Sequence, residues 1–350
     1  MTGLRLLADD LTGALDSGCA FAAPDTPVHI ALPDRPLPAG NRLAVSTETR
    51  DMPVSDAVAR VFKAMADLAC EDPAILWFKK IDSVLRGHPF AETKAALEAG
   101  NFSHCIFAPA YPDMGRITVG TQQFVTGRSG PPQPVGADFR HAFGSVAQSS
   151  VAATVTMTFV EADSQNLLQQ RALAAASSAK GKMLWVGTGG LAAALAPARG
   201  AMPPLPPLRG MIVGTSHPST REQVSAALAA DMLRPISALA YRGEPDRKAW
   251  LLSPGLTAAN AEETSDVLRR EVPAIVFEDA ASTSLLVTGG DTLSVVLEVT
   301  GADSLECIGD AAPGVPVSRI HGGRWHGLTL LSKSGGFGDP ALMVRLISGL

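Results

Sequence analysis

Leu4-Arg5-Leu6-Leu7-Ala8-Asp9-Asp10-Leu11-Thr12-Gly13-Ala14 is an apolar run, a polar turn and the opening of a helix rich in small residues, which extends to about Ala22. A strand delivered through a polar turn into a helix is the repeating unit of an α/β protein with a parallel sheet. The pattern recurs along the chain. Ile75–Phe78 leads into Lys79-Lys80-Ile81-Asp82-Ser83, and Cys105–Ala108 leads into Pro109-Ala110-Tyr111-Pro112-Asp113-Met114-Gly115-Arg116. Met211–Val213 leads into Gly214-Thr215-Ser216-His217-Pro218, and Leu285–Val287 into Thr288-Gly289-Gly290-Asp291-Thr292 with a helix ending near Gly301. Ser219 with Glu222 three residues later reads as a capping box at the start of the helix that follows His217-Pro218. Open α/β sheets bind ligands beyond the carboxyl ends of their strands, so function is expected in these turns.

The chain has 350 residues, long enough for about two domains. Its prolines cluster in Pro197–Pro207, which can support neither a helix interior nor a central strand. The expected division is residues 1–200, a Pro-rich linker over 201–210, and residues 211–350. The fold class that follows is α/β, with two domains, each a largely parallel sheet flanked by helices, and an active site in the interdomain cleft. Hydrophobic residues at 46%, charged residues at 18% and a mean hydropathy of +0.16 specify a folded protein. Aromatics are only 5%, so Ala, Val and Leu are expected to build the cores. Gly127–Gly136 reads as a Pro/Gly loop without a legible role, and no solenoid-like period is present.

A net charge of −5 and a pI near 5.8 exclude an extended nucleic-acid surface, so any phosphate site must be local. Cys19, Cys70, Cys105 and Cys307 are scattered, with neither a Cys-x-x-Cys pair nor zinc-ligand spacing, as expected of reduced core thiols. No apolar run approaches the roughly 20 residues needed to span a bilayer. The start Met1-Thr2-Gly3-Leu4-Arg5 runs into a strand rather than a signal peptide, and the expectation is a cytoplasmic protein.

Gly289-Gly290 lets backbone approach a phosphate, and the helix behind it presents unpaired amides; Asp291 or Thr292 caps that helix or reaches a ribose or metal ion. Lys333-Ser334-Gly335-Gly336-Phe337-Gly338 is a second phosphate nest with a cation, although no Walker loop is present. Ser216 offers a contact to adenine or phosphates. His217 beside it is an acid/base candidate, set against the commoner role of a surface loop histidine. In the first half, Asp9 and Asp10 suit sugar hydroxyls and a proton acceptor, with capping by Asp10 as the alternative. Arg50, which ends Val45-Ser46-Thr47-Glu48-Thr49-Arg50, joins Lys79, Lys80, Asp82, Ser83 and Arg86 to suggest an acidic substrate; Arg116 is a weaker candidate of the same sort.

Together, Ala8–Ala14, Lys80-Ile81-Asp82-Ser83 with Leu85-Arg86-Gly87, Pro109-Ala110-x-Pro112 with Gly115-Arg116, Gly289–Thr292, Pro313-Gly314-Val315-Pro316 and Lys333–Gly338 resemble the four-carbon acid sugar kinase family. The resemblance runs in order over nearly the whole chain. It implies phosphorylation of threonate, erythronate or a related acid by ATP with Mg2+, the acid on the N-terminal domain and the nucleotide on the C-terminal one. By resemblance, Asp9 or Asp10, Arg50 and Lys80–Ser83 contact substrate, with Arg86 beside them. Ser216, Gly289, Gly290, Asp291, Thr292, Gly314, Lys333, Gly335 and Gly336 are the expected nucleotide residues. Asp10 or Asp82 is the expected catalytic base. The expected partners are a sugar acid and ATP, with a homodimer as one option, and neither nucleic acid nor membrane. Two segments depart from the family pattern: Glu161-Ala162-Asp163-Ser164-Gln165-Asn166, and Gly-Thr-Ser-His at 214–217. The alternatives are an NAD(P)-dependent oxidoreductase of a hydroxy acid, disfavoured because no Gly-x-Gly-x-x-Gly follows the first strand, and a non-catalytic binding protein.

Overall fold

The computed structural model describes residues 3–127, 130–144, 155–197, 202–237 and 248–349. Along the chain come β1 (Gly3–Ala8), α1 (Leu11–Phe21), β2 (Val28–Ala31), β3 (Arg42–Ser46), α2 (Val54–Asp67), β4 (Ile75–Lys80), α3 (Pro89–Gly100) and β5 (His104–Ala108). Next are β6 (Arg116–Val119), β7 (Gln122–Val125), β8 (Gln133–Val135), α4 (Phe139–Phe143), β9 (Thr156–Phe159), α5 (Gln165–Ser178), β10 (Met183–Gly187) and α6 (Gly189–Leu195). They are followed by β11 (Leu208–Val213), α7 (Pro218–Ala229), β12 (Leu233–Pro235), β13 (Ala249–Leu252), α8 (Pro254–Thr257) and α9 (Ala261–Glu271). The last are β14 (Ser284–Thr288), α10 (Gly290–Thr300), β15 (Ser304–Ala312), β16 (Val315–His321), β17 (Thr329–Lys333) and α11 (Leu342–Ser348).

Two units emerge, one of Met1–Phe21 with Leu37–Ala198, the other of Ala22–Pro36 with Arg199–Leu350. In the first, the strand order β3-β1-β4-β10-β5-β9 is parallel throughout. Such strands are covered on both faces, which is why β1 reads Leu-Arg-Leu-Leu-Ala and is buried along its length. In the second, β12-β13-β11-β14-β17 are parallel, and β16, β15 and β2 extend the sheet antiparallel. Both sheets carry helices, and the α/β class with largely parallel sheets is the one expected.

The second core is aliphatic, around Val213, Leu286, Val317, Leu331 and Leu346. The first differs from expectation: the few phenylalanines are gathered in one place, where Phe90, Phe107, Phe139, Phe143 and Phe159 pack with ring centroids 5.0–6.3 Å apart. Scarcity in the whole chain did not mean scarcity in this core.

Local details differ as well. Lys79 and Lys80 complete β4 instead of opening a turn. A lysine can end a buried strand when its ammonium finds a partner, and Lys79 is fully buried 2.7 Å from Glu92 of α3. After β5 there is no helix; a 3-10 turn at Pro112–Met114 leads into an antiparallel sheet of β6, β7 and β8, so part of Gly127–Gly136 is strand. The capping box is not formed either. His217 caps α7, its Nδ1 accepting from the Ser219 amide at 3.2 Å, and Pro218 takes the first helical turn.

Candidate active site

In the first unit, the carboxyl ends of β1, β3 and β4 carry the acidic cluster. Asp10 is the cap of α1: its Oδ1 accepts from the Gly13 amide at 2.8 Å and its Oδ2 from the Thr12 hydroxyl at 2.8 Å. The same carboxylate also receives Arg50 Nη1 at 2.7 Å, so capping and site formation are one arrangement. Arg50 Nε donates to Asp9 Oδ2 at 2.9 Å, and Nη2 lies 3.8 Å from Asp82 Oδ1. One guanidinium therefore ties three aspartates from two strand ends. Oδ1 of Asp9 is buried without a hydrogen-bond partner among the described residues.

Asp82 organises its own turn, Oδ2 accepting the amides of Val84 (3.0 Å) and Arg86 (3.2 Å) while Oδ1 takes Arg86 Nη2 at 2.6 Å. The turn needs left-handed backbone at Leu85 (φ 63°) and Gly87 (φ 73°). A Cβ on Gly87 would stand 3.1 Å from the Arg50 carbonyl, so glycine lets the two turns meet. The Ser83 carbonyl accepts from Gln123 Nε2 at 3.1 Å. Gln123, fully buried on β7, also donates to the Pro109 carbonyl at 3.1 Å and accepts from Thr118 at 2.6 Å.

Lys80 stands apart from the other cations here. It is 6% exposed, and its ammonium makes no hydrogen bond or salt bridge among the described residues. It lies beside α1, where a Cβ on Gly13 would come within 3.1 Å of Nζ. Lys79, by contrast, is spent on Glu92, whose other oxygen accepts from Thr49 at 2.8 Å and so braces the Arg50 turn from behind.

The electrostatics follow. Burial works against the charge on Asp10, but Arg50 and Lys80 outweigh it and hold the carboxyl below its ordinary value. Burial likewise opposes ionisation of Asp82, which the Arg86 hydrogen bond and Arg50 nevertheless bring down to about 2. Burial opposes the charge on Arg50 too, and Asp9 and Asp10 more than restore it. Glu48 moves the other way, pushed up by burial and by the nearby Asp10. Sequence reasoning passed over Glu48. Its left-handed backbone (φ 49°) and 2.5 Å bond from Ser46 belong to this turn, and no local pattern announces a non-glycine in that conformation.

Arg116 and the departing segment 161–166 make bonds of their own in this unit. Arg116 bonds to the Met114 carbonyl in its own turn. Glu161 accepts from the Gly120 amide at 2.7 Å and from Arg171 at 2.8 Å, and Gln165 donates to the Gly190 carbonyl at 2.7 Å. The departure at 161–166 thus ties a hairpin and α5 to the unit.

In the second unit, the turns after β11, β14 and β17 converge. Gly289 (φ 101°) precedes α10 without a side-chain cap, leaving the first-turn amides of Gly290, Asp291 and Thr292 without an intrahelical partner. A Cβ on Gly289 would be 3.0 Å from Thr292 Oγ1, and one on Gly335 would be 2.7 Å from Thr215 Oγ1 and 3.1 Å from His217 Cβ. Gly255 in α8, missed in the sequence, abuts the Gly214 backbone so closely that a side chain would displace it. Ser216 and Asp291 are exposed at the rim. Gly314 (φ 75°) turns β15 into β16 and seats the Phe337 ring where its own side chain would be. Lys333 points inward, 1% exposed, and bonds to its own loop. No cluster of three or more His, Cys, Asp or Glu residues suited to a metal ion occurs among the described residues.

An α/β protein with an arginine-bound carboxylate cluster in one unit and glycine turns in the other is a class shared with known proteins. Residues 4–138 match the family described as a sugar-binding N-terminal domain, and residues 246–343 that described as a nucleotide-binding C-terminal domain. The chain belongs to the four-carbon acid sugar kinase family. It is 26% identical to a D-threonate kinase of Salmonella typhimurium over 97% of this chain and 96% of that one. It is also 36% identical to a D-erythronate kinase of Heliobacterium modesticaldum over 34% of this chain and 28% of that one. A crystal structure of a Haemophilus influenzae protein superimposes with a TM-score of 0.68 at 18% identity over 99% of both chains, which speaks to fold alone.

Proposed function

We propose that the chain is an ATP-dependent kinase of a four-carbon sugar acid of the threonate or erythronate kind. The observation that carries this reading is Lys80, a buried cation with no bonded acid, set beside carboxylates suited to hydroxyls. A ligand with one carboxylate and several hydroxyls complements that pattern. Arg50 is committed to Asp9, Asp10 and Asp82 and Arg86 to Asp82, so their work is to hold the aspartates in place, and Lys80 receives the acid.

Asp10 is the proton acceptor in this reading. Its side chain is 20% exposed against 6% for Asp9 and for Asp82, and it is ionised at neutral pH. Asp82, held by two amides and two arginines, positions the turn that presents Ser83. The unbonded Oδ1 of Asp9 is an acceptor for a second hydroxyl.

ATP fits the second unit because unpaired amides at Gly335, Gly336 and the start of α10 face a cradle that a Cβ at Gly335 would obstruct. Bound ATP supplies the phosphoryl group, and Mg2+ would neutralise its charge. Mg2+ keeps most of its waters and phosphate ligands, so a single exposed carboxylate such as Asp291 suffices in place of an acidic cage. An enzyme drawing on the ATP pool belongs in the cytoplasm, and no helix among the described residues is long and apolar enough to cross a membrane.

A coupled ADP-release assay over a panel of four-carbon sugar acids tests the reading, with NAD(P) reduction followed in parallel. ADP release that requires an acid, and that neutral tetritols do not elicit, is expected. Acid-dependent NAD(P) reduction, or thermal stabilisation by acids without any ADP, would replace it with one of the alternatives.

A further inference from the structure

The Lys333 ammonium is buried with four acceptors around it. It donates to the carbonyls of Ser334 (2.9 Å), Gly335 (3.3 Å) and Phe337 (3.1 Å) and to Thr220 Oγ1 (3.1 Å). Thr220 in turn donates to the Gly335 carbonyl at 2.7 Å, and Gln223 Nε2 to the Phe337 carbonyl at 2.9 Å. No carboxylate lies within salt-bridge reach of Lys333 among the described residues, although taking an isolated ammonium out of water is costly. The carbonyl and amide of one trans peptide point in opposite directions, and no peptide here is cis. With the carbonyls of 334, 335 and 337 aimed at Nζ, the amides of Gly335, Gly336 and Gly338 are aimed away from it. Those of Gly335 and Gly336 make no hydrogen bond among the described residues.

We infer that Lys333 is the internal cation of an anion-binding nest: it fixes the loop amides outward and serves a bound polyphosphate as a buried counter-charge, without touching it. This rests on the nucleotide reading of the second unit. The lysine is a positioning residue, and its missing acid partner is the ligand's phosphate. Burial brings its pKa down to about 8 in the free protein, so a phosphate placed beyond the loop restores the proton. The charged or titratable groups on the elements around it are His217, Arg221 and Glu222 by α7, Asp291 on α10, and Asp339, which pairs with Arg345 at 2.7 Å.

The test is calorimetric titration of the whole chain with Mg-ADP on the alkaline side of that value, in two buffers of different ionisation enthalpy. Binding should take up protons, at most one per nucleotide, and affinity should fall with rising pH by no more than tenfold per unit. Lys333→Met should bind about tenfold or more weakly, without proton uptake or this pH dependence. His217→Asn, which keeps a capping acceptor, should retain the uptake. Nucleotide binding by the wild type without proton uptake, or uptake that persists in Lys333→Met, overturns the inference. Should Lys333→Met fail to fold, the wild-type proton count together with His217→Asn decides. No binding of ADP or ATP by the wild type would instead remove the nucleotide reading itself.

Discussion

Lys80 and Arg50 divide labour that the sequence presents as shared. Both are cations at strand ends, and no local pattern says which of them is already paired. Arg50 is consumed by three aspartates while Lys80 is left open, so their variants should differ. Lys80→Met is expected to raise KM for the acid by roughly 10- to 100-fold, with KM for ATP and Tm little changed, as steady-state kinetics and a melt will report. Arg50→Met should lower Tm as well, because it leaves buried carboxylates uncompensated. Asp10→Asn should lower kcat by on the order of 10²- to 10⁴-fold, and turnover at the wild-type rate would remove Asp10 as proton acceptor. Asp82 makes a separate prediction. Its folded pKa of about 2 lies below its ordinary 3.8, so it contributes stability that is full above the ordinary value and is lost as pH falls through the folded one. Acid melts of wild type and Asp82→Asn should therefore converge below about pH 2 and separate by on the order of 2 kcal/mol at neutral pH.

At the level of elements, the strands and the turns behind them were legible because apolar runs and glycines are local signals. β1, β11 and β14 fall where the runs place them, and α10 ends at Gly301 in left-handed conformation (φ 72°). What was not legible depends on partners remote in sequence. Lys79 stays in β4 because of Glu92, Gln123 reaches 40 residues back to Ser83, and four residues of β2 pair antiparallel with β15 near the other end of the chain. The Lys333 loop was half legible: its glycines are a local signal, but the direction of the lysine is set by Thr220 and Gln223 on α7. Gly335→Val should raise KM for ATP at least tenfold while leaving KM for the acid unaltered, since the new side chain meets Thr215 and His217. Lys333 adds a signature of opposite signs. Its folded pKa of about 8 is depressed from 10.5, so the unfolded chain binds the extra proton between these values and the group's contribution to stability rises with pH there, while nucleotide affinity falls. Denaturant titrations of wild type and Lys333→Met across that window check the first half.

For the whole molecule, composition speaks only to broad class, whereas the order of motifs along the chain selects the family. Neither identifies the acid: which cation and which carboxylate oxygen are left unpaired is a property of the folded turns, and neither composition nor motif order records it. The central claim is that the phosphoryl group of ATP ends on a sugar-acid hydroxyl. The most direct measurement is 31P NMR of a reaction containing the protein, Mg-ATP and D-threonate or D-erythronate. A new phosphate monoester of the acid, formed in equal amount with ADP and lost in Lys80→Met at limiting acid, is predicted. ADP accompanied only by inorganic phosphate, or no conversion with any four-carbon acid, would contradict the account.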